Sequence, residues 1–418
     1  MILLSHATGN ENVRQTALAF SEAGLLEEFW TCLNWNPDHR IHRLLPRAVR
    51  RQLLRRSFPL AVRGVIQSRP SREIARLLAK FLPLPGLRAH ETGALSIDAV
   101  MRDLDCAVAA RLVRASGCRL VYAYEDGALE TFRTAKALGL RRVYDLPIGY
   151  WRAAQTIYAE EREREPEWAS TLTGNRDSER KLARKEEELR LSEHVVVAST
   201  FTKSTLGLAG LNLPVTVAPY GAPEIGPGEP LQRSEKLRVL FVGSLGQRKG
   251  LSYLLAAIKG LGDMFELTLL GRKVVDSCAV LDAAVRTHRW IPSLPHVEVL
   301  REMRRHDVLV LPSLFEGFGL VILEAMAQGL AVITTAHTGG PDMMEDGAEG
   351  FIVPIRSAEE IAVKLDLLLT NRNLMQEMKL AARRRAGQCR WADYRASLVR
   401  MAREMVSEAT ELAHAPRS

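Results

Sequence analysis

Long apolar runs, paired cysteines and acidic metal motifs are all missing from this 418-residue chain. No stretch approaches the roughly 18 uninterrupted apolar residues of a membrane-spanning helix, so a transmembrane reading is excluded. Five cysteines (Cys32, Cys106, Cys118, Cys278, Cys389) are scattered, odd in number and without paired spacing. That pattern argues for reduced thiols in a cytoplasmic protein and against a zinc site. No Asp-x-Asp set sits at a strand end with a nearby histidine, and no metal is expected. The start, Met1-Ile-Leu-Leu-Ser-His6, has neither a basic n-region nor a small-residue cleavage site and reads as a first core strand. No internal repeat is present beyond the likeness of two α/β halves.

What is present begins with charge. The net charge of +8 is uneven: from Arg40 to Arg88, twelve arginines and Lys80 stand against Glu73 alone, which gives that segment +12 and the remainder −4. Arg47, Arg50, Arg51, Arg55 and Arg56 are interleaved with Leu44, Leu45, Val49, Leu53, Leu54 and Phe58, the pattern of a basic amphipathic helix. Such a helix can lie on an anionic membrane surface, which would make the protein peripheral on the inner face of the membrane. It can equally pack its leucines on the first domain, with arginine stems covering apolar surface. No RNA- or DNA-binding motif accompanies the arginines, so no nucleic-acid partner is expected.

Short apolar strands alternate with longer helical patterns, the mark of doubly wound α/β domains. Met1–Ser5, Leu120–Ala123, Arg142–Asp145 and Val195–Ala198 are strand candidates in the first half. Arg40 to Arg114 looks helical, broken at Pro59, Pro70 and Pro83. The charged stretches Glu160–Glu167 and Ser178–Glu193 read mostly as solvated helix surface. Pro219 to Pro230 has the composition of an interdomain linker. These signals divide the chain into a first domain over 1–225 with a basic helical insertion at 40–88, a linker over 226–236, a second domain over 237–388, and a terminal helix over 389–418. In that last helix Trp391, Tyr394, Leu398, Met401 and Met405 share one stripe.

The most informative segment is Ser313-Leu-Phe-Glu-Gly-Phe-Gly-Leu-Val-Ile-Leu-Glu324. Val308–Leu311 reads as a buried parallel strand and Leu320–Ala327 as the helix that the Gly-Phe-Gly turn opens. Free N–H groups at a helix start and the helix dipole suit a phosphate, and Gly317 and Gly319 permit its close approach. Glu316 and Glu324 would repel a phosphate but accept hydrogen bonds from hydroxyls. Phosphate plus hydroxyls points to a nucleotide sugar.

Glu316, seven intervening residues and Glu324 resemble the E-x7-E motif of the retaining GT-B glycosyltransferases of family four. The likeness continues through Gly329–Thr335, Gly339-Gly-Pro-Asp342, Glu345-Asp-Gly347 and Gly350–Pro354, and upstream through Val239–Gly250 with its Arg-Lys-Gly signature. It implies a GT-B fold: two Rossmann-like domains facing a cleft, with a C-terminal helix crossing back to the first. It also implies transfer of a hexose from a nucleoside diphosphate sugar to a glycan or lipid-linked acceptor, with retention and without metal or other cofactor, in surface polysaccharide or glycolipid synthesis. A non-catalytic sugar-nucleotide-binding scaffold is the alternative.

By the same resemblance Arg248 and Lys249, after the glycine loop with Gly243 and Gly246, would bind the diphosphate. Glu316 would bind the sugar and Glu324 the ribose. The backbone of Gly317, Phe318, Gly319 and Leu320 would wrap the donor, and Trp290 and Ile291 would lie near the base. Gly9, in His6-Ala-Thr-Gly9, takes the place of the family's first-loop glycine, with Asn10, Asn12 and Arg14 beside it. Many relatives carry a histidine after a mid-domain strand where this chain has Glu125 and Asp126. That pair either stands near the reacting carbon or caps a helix. Asp145 and Tyr150 are further cleft candidates, and Asp342 replaces a common glutamate.

Overall fold

The computed structural model describes residues 1–81, 83–115, 117–227 and 234–414, the side chains at 42–43, 47–48, 51, 175 and 408–414 excepted. Part of the expected linker, 228–233, thus lies outside the described residues, as do the side chains of Arg47 and Arg51.

Two parallel sheets organise the chain. The first contains β1 (Ile2–Ser5), β2 (Leu26–Thr31), β3 (Ile66–Ser68), β4 (Leu120–Tyr124), β5 (Arg141–Leu146), β6 (His194–Val197) and β7 (Val215–Val217), in the order β3-β2-β1-β4-β5-β6-β7. The second contains β8 (Leu237–Val242), β9 (Phe265–Leu270), β10 (Arg289–Ile291), β11 (Val308–Leu311), β12 (Ala331–Thr335) and β13 (Gly350–Val353), in the order β10-β9-β8-β11-β12-β13. β1, β4, β11 and β12 are buried along their whole length. They read as continuous apolar runs because helices cover both faces of a parallel sheet. Strand order reverses between β1 and β4, and again between β8 and β11. Ligands of open parallel sheets bind outside the carboxyl ends of the strands at such points. The loops after those four strands are therefore the ones that can hold chemistry.

The terminal helix Trp391–His414 returns to the first domain and packs on the helix Glu11–Glu22. Tyr394, Leu398, Met401 and Met405 form its buried stripe. The Tyr394 and Thr16 hydroxyls are 2.8 Å apart, and Arg395 donates to Gln15 at 2.6 Å.

Three features differ from expectation. Ile66–Ser68 is a strand inside the stretch expected to be helical, because it pairs with β2 at the sheet edge. The Pro219-containing passage is seated rather than solvated: Tyr220 is buried, stacked on Trp391 and edge-on to Phe318. Within the charged stretches, Glu161 and Glu188 are fully buried, each held by partners from elsewhere in the chain.

Candidate functional site

The basic pair sits on one turn, Gln247–Lys249, between β8 and the helix Leu251–Leu261. Gly250 closes the turn at φ +69°, where a Cβ would lie 1.9 Å from the Pro312 carbonyl oxygen; only glycine lets the two switch-point loops meet so closely. Leu314 N–H donates to the Arg248 carbonyl at 2.9 Å, which binds the loops together. Arg248 then donates to the Phe315 carbonyl at 2.9 Å and to Glu316 Oε2 at 3.2 Å, and the Lys249 ammonium contacts the same carboxylate oxygen. Lys249 is buried and Arg248 half-buried. Burial, and then the adjacent Arg248, push the Lys249 ammonium well below its ordinary pKa. The Glu316 carboxylate is the counter-charge that opposes loss of its proton.

Gly319, at φ +82°, opens the helix Leu320–Ala327, and Leu320 is half-buried at its first turn. One turn on, Glu324 Oε1 lies 2.9 Å from His296 Nε2, on the helix His296–Met303. That partner satisfies the carboxylate on an otherwise apolar helix, and nothing local in the sequence announces it. Gly317 is where the backbones of the two domains meet. A Cβ there would lie 1.9 Å from the Pro147 carbonyl oxygen, so the missing side chain admits the first domain's backbone. Its own carbonyl accepts from the hydroxyls of Ser199 (2.5 Å) and Thr202 (2.9 Å). Phe318 is buried beside Tyr220.

Gly243 lies where β8 and β9 end together: a Cβ on Gly271 would fall 1.7 Å from the Gly243 carbonyl oxygen. Gly246 packs against Val274 and the first domain's Thr171. Trp290 and Ile291, both half-buried, end β10; Trp290 Nε1 donates to the Gly271 carbonyl at 2.9 Å, beside those same strand ends.

On the first domain, Gly9 packs under Phe58 and the Arg55 carbonyl. Arg14 donates to the Ser57 and Arg55 carbonyls, both at 3.0 Å, which fastens the arginine-rich insertion to this loop. His6 packs half-buried against Tyr124, and desolvation pushes its pKa down to about 4. Asn10 is exposed and Asn12 buried.

The helix-cap reading of Glu125 and Asp126 is overturned. Leu129–Ala137 has Ala128 at its cap position, and its N-terminal N–H groups go to distant carboxylates: Ala128 to Glu188, Glu130 and Thr131 to Asp105. Asp126 adopts φ +69° and faces Lys181 at 3.5 Å. Glu125 lines a cavity of ≈ 200 Å³ together with Trp151, Tyr158, Lys185, Arg248 and Phe315. The structure thus brings Glu125, but not Asp126, to the cavity that Arg248 also lines. Burial pushes the Glu125 carboxyl up to about 7, against the pull of Lys185 at 3.7 Å.

Two further candidates lie elsewhere than expected. Asp145 is buried under the Tyr122 hydroxyl instead of facing the cleft, and burial pushes it up to about 7. Tyr150 is buried with it in the first domain. Asp342 spends its carboxylate across the domain boundary, accepting from Thr200 N–H at 3.0 Å. Among the described residues one trio, His90, Glu91 and Asp177, could gather around a metal ion, but Lys181 and Lys185 each already lie 3.1 Å from Asp177.

Two facing parallel sheets with a helix returned to the first define a GT-B fold, and solved structures share it over nearly the whole chain. Sucrose-phosphate synthase from Thermosynechococcus elongatus superposes with a TM-score of 0.66 at 16% identity, covering 97% of this chain and 99% of that one. Anabaena Alr3699/HepE in complex with UDP-glucose gives 0.63 at 14% identity, covering 96% and 99%. Residues 227–385 match the family model of glycosyl transferases group 1. The amylovoran biosynthesis glycosyltransferase AmsK of Erwinia amylovora is 30% identical over 162 residues, 36% of this chain and 40% of the relative. The chain thus matches about two fifths of that curated relative's length.

Proposed function

We propose that the chain is a retaining, metal-independent glycosyltransferase that moves a hexose from a nucleoside diphosphate sugar to a glycan or lipid-linked acceptor in surface polysaccharide or glycolipid synthesis. One observation carries the reading: Arg248, Lys249 and Glu316 converge between two switch-point loops at the mouth of a helix N-terminus. A diphosphate entering there competes with Glu316 for both cations. Glu316 is then free to accept from sugar hydroxyls, while the cations neutralise charge that grows as the diphosphate departs. Arg grips phosphate through its planar fork and Lys acts as a compact charge. Glu324, one turn along, takes the ribose hydroxyls. Glu125, across the cavity from Arg248, faces the acceptor side.

The group 1 domain, the UDP-glucose complex of a structural neighbour and AmsK's part in amylovoran synthesis all support this reading. The test is to screen nucleotide sugars by thermal shift, then assay the best donor with glycan and lipid-linked acceptors. Acceptor-dependent release of free nucleoside diphosphate supports transfer. Donor binding without release, across all acceptors, would leave a binding scaffold instead.

A further inference from the structure

We infer that the insertion at 41–88 is a docking surface for an anionic lipid bilayer, which identifies the acceptor as one presented at a membrane. The acceptor clause rests on the proposed transferase activity; the docking does not. The segment is helical in short pieces (Ile41–Leu44, Arg47–Leu54, Leu60–Arg63, Pro70–Leu78) around the edge strand β3. Its leucines do not simply pack inward. Leu44 is 83% exposed, Leu60 75%, Leu78 60% and Phe81 84%. Ile74 and Leu78 are four residues apart and share one helix face, which Phe81 extends. The same helix turns Glu73 inward, where it is buried between Arg56 and Arg76. The only acid from Arg40 to Arg88 is therefore consumed internally, while Arg40, Arg55, Lys80 and Arg88 have no carboxylate partner among the described residues. Burial first, and then the Arg76 and Arg56 cations, push Lys80 below its ordinary pKa.

Exposed apolar side chains set among unpaired cations match one surface chemistry: anionic headgroups over an acyl boundary. A second copy of the chain would bring the same positive charge and be repelled. RNA would satisfy the cations but leave Leu78 and Phe81 in water. No helix among the described residues is long and apolar enough to cross a membrane, so the contact is peripheral. The segment's hold on the first switch-point loop, through Phe58 on Gly9 and Arg14 on the Arg55 and Ser57 carbonyls, sets the lipid surface beside the cleft.

The test is co-sedimentation of the full chain with phosphatidylcholine vesicles, with and without phosphatidylglycerol. Binding should require phosphatidylglycerol and weaken as salt rises, because exposed charges are screened beyond about one Debye length, ~10 Å at 0.1 M. Reversing Arg55, Lys80 and Arg88 to Glu should weaken it at least about a hundredfold at low salt. L78S/F81S should weaken it at low salt too, which a purely electrostatic contact would not show. Both variants should keep the parent's melting temperature and circular dichroism spectrum, which confirms folding independently of turnover. Equal binding to neutral vesicles, no binding at low salt, or a dimer dissolved by L78S/F81S would each overturn the inference. So would RNA binding that survives L78S/F81S while vesicle binding is absent.

Discussion

Glu316 holds Arg248 and Lys249 in one cluster, so each of the three should show its loss in kinetics rather than in folding alone. Arg248→Ala or Lys249→Ala should lower kcat about a hundredfold, close to the ~3 kcal/mol typical of one removed charge-stabilising donor. Unchanged turnover in both variants would refute the diphosphate assignment. Glu316→Gln should mainly lower kcat and Glu324→Gln mainly weaken donor binding, because ribose is remote from the reacting carbon. The same kinetic pattern from both would end that distinction. His296 adds a pH dependence. Its hydrogen bond to Glu324 raises its pKa above the ordinary value of about 6.5. The charged pair is therefore complete below that value and is lost as pH climbs through the raised one. Donor affinity should improve over that climb, as Glu324 is released to the ribose, and His296→Ala should flatten the titration curve. Glu316, Glu324, Arg248 and Lys249 were legible in the sequence because each sits in a short strand–turn–helix pattern. His296 was not, since only the packing of its helix brings it to Glu324 across 28 positions. Glu161 and Glu188 were hidden too, because a charge run gives no sign of which member turns inward.

Elements buried on both faces were the readable ones, since a parallel strand between helix layers must be continuously apolar. β2 carries Glu27 and Glu28, and β3 and β7 are three residues each, so their periodicity fell below recognition. The helix Leu129–Ala137 shows a second limit. Its cap comes from Asp105 and Glu188, far away in sequence, while the adjacent acids point elsewhere. Asp105 also holds Arg184 at 3.0 Å. Asp105→Ala should therefore cost about 2 kcal/mol or more in denaturant unfolding, a lost cap plus one of the two carboxylate partners of Arg184, with donor affinity unchanged. A loss under 0.5 kcal/mol would show that water replaces the cap. At the end of β5, Asp145 titrates near 7 in the folded protein and near 4 when unfolded. The native state thus holds a proton that the unfolded chain has released, and stability falls as pH rises from about 4 to about 7. Asp145→Asn keeps an acceptor for Tyr122 and removes that penalty. It should raise the melting temperature at pH 8 and leave it nearly unchanged at pH 4.

At the scale of the molecule, the two sheets are held in register by contacts that double as parts of the site. Ser199 and Thr202 grip the Gly317 carbonyl, Thr200 grips Asp342, and Phe201 stacks on His337 at 4.6 Å. The deepest of these contacts centres on Glu161, from the first domain's helix Trp151–Arg164. Its carboxylate accepts from Gln247 Nε2 at 2.6 Å, the Tyr253 hydroxyl at 2.9 Å and Arg356 Nε at 2.8 Å, all from the second domain. Gln247 immediately precedes Arg248, so this buried carboxylate fixes both the domain pairing and the start of the turn that carries the basic pair. Removing one member of a buried ion pair costs about 3–5 kcal/mol, because the other charge is left uncompensated. Glu161→Ala should therefore lower stability by about that much and split thermal unfolding into two transitions as the sheets uncouple. It should also lower kcat, since the Gln247–Lys249 turn loses its anchor. Glu160→Ala is the control: that side chain is 51% exposed and pairs with the same Arg356, and its loss should stay near the small cost of a surface pair, at most about 1 kcal/mol. The double variant Glu161→Ala/Arg356→Ala should recover part of the stability, because it removes a cation left with the exposed Glu160 as its carboxylate partner, but not the kcat, because Gln247 still lacks the first domain's carboxylate. A single transition at the parent's midpoint in Glu161→Ala would show instead that the terminal helix and the Gly317 contacts hold the sheets together unaided.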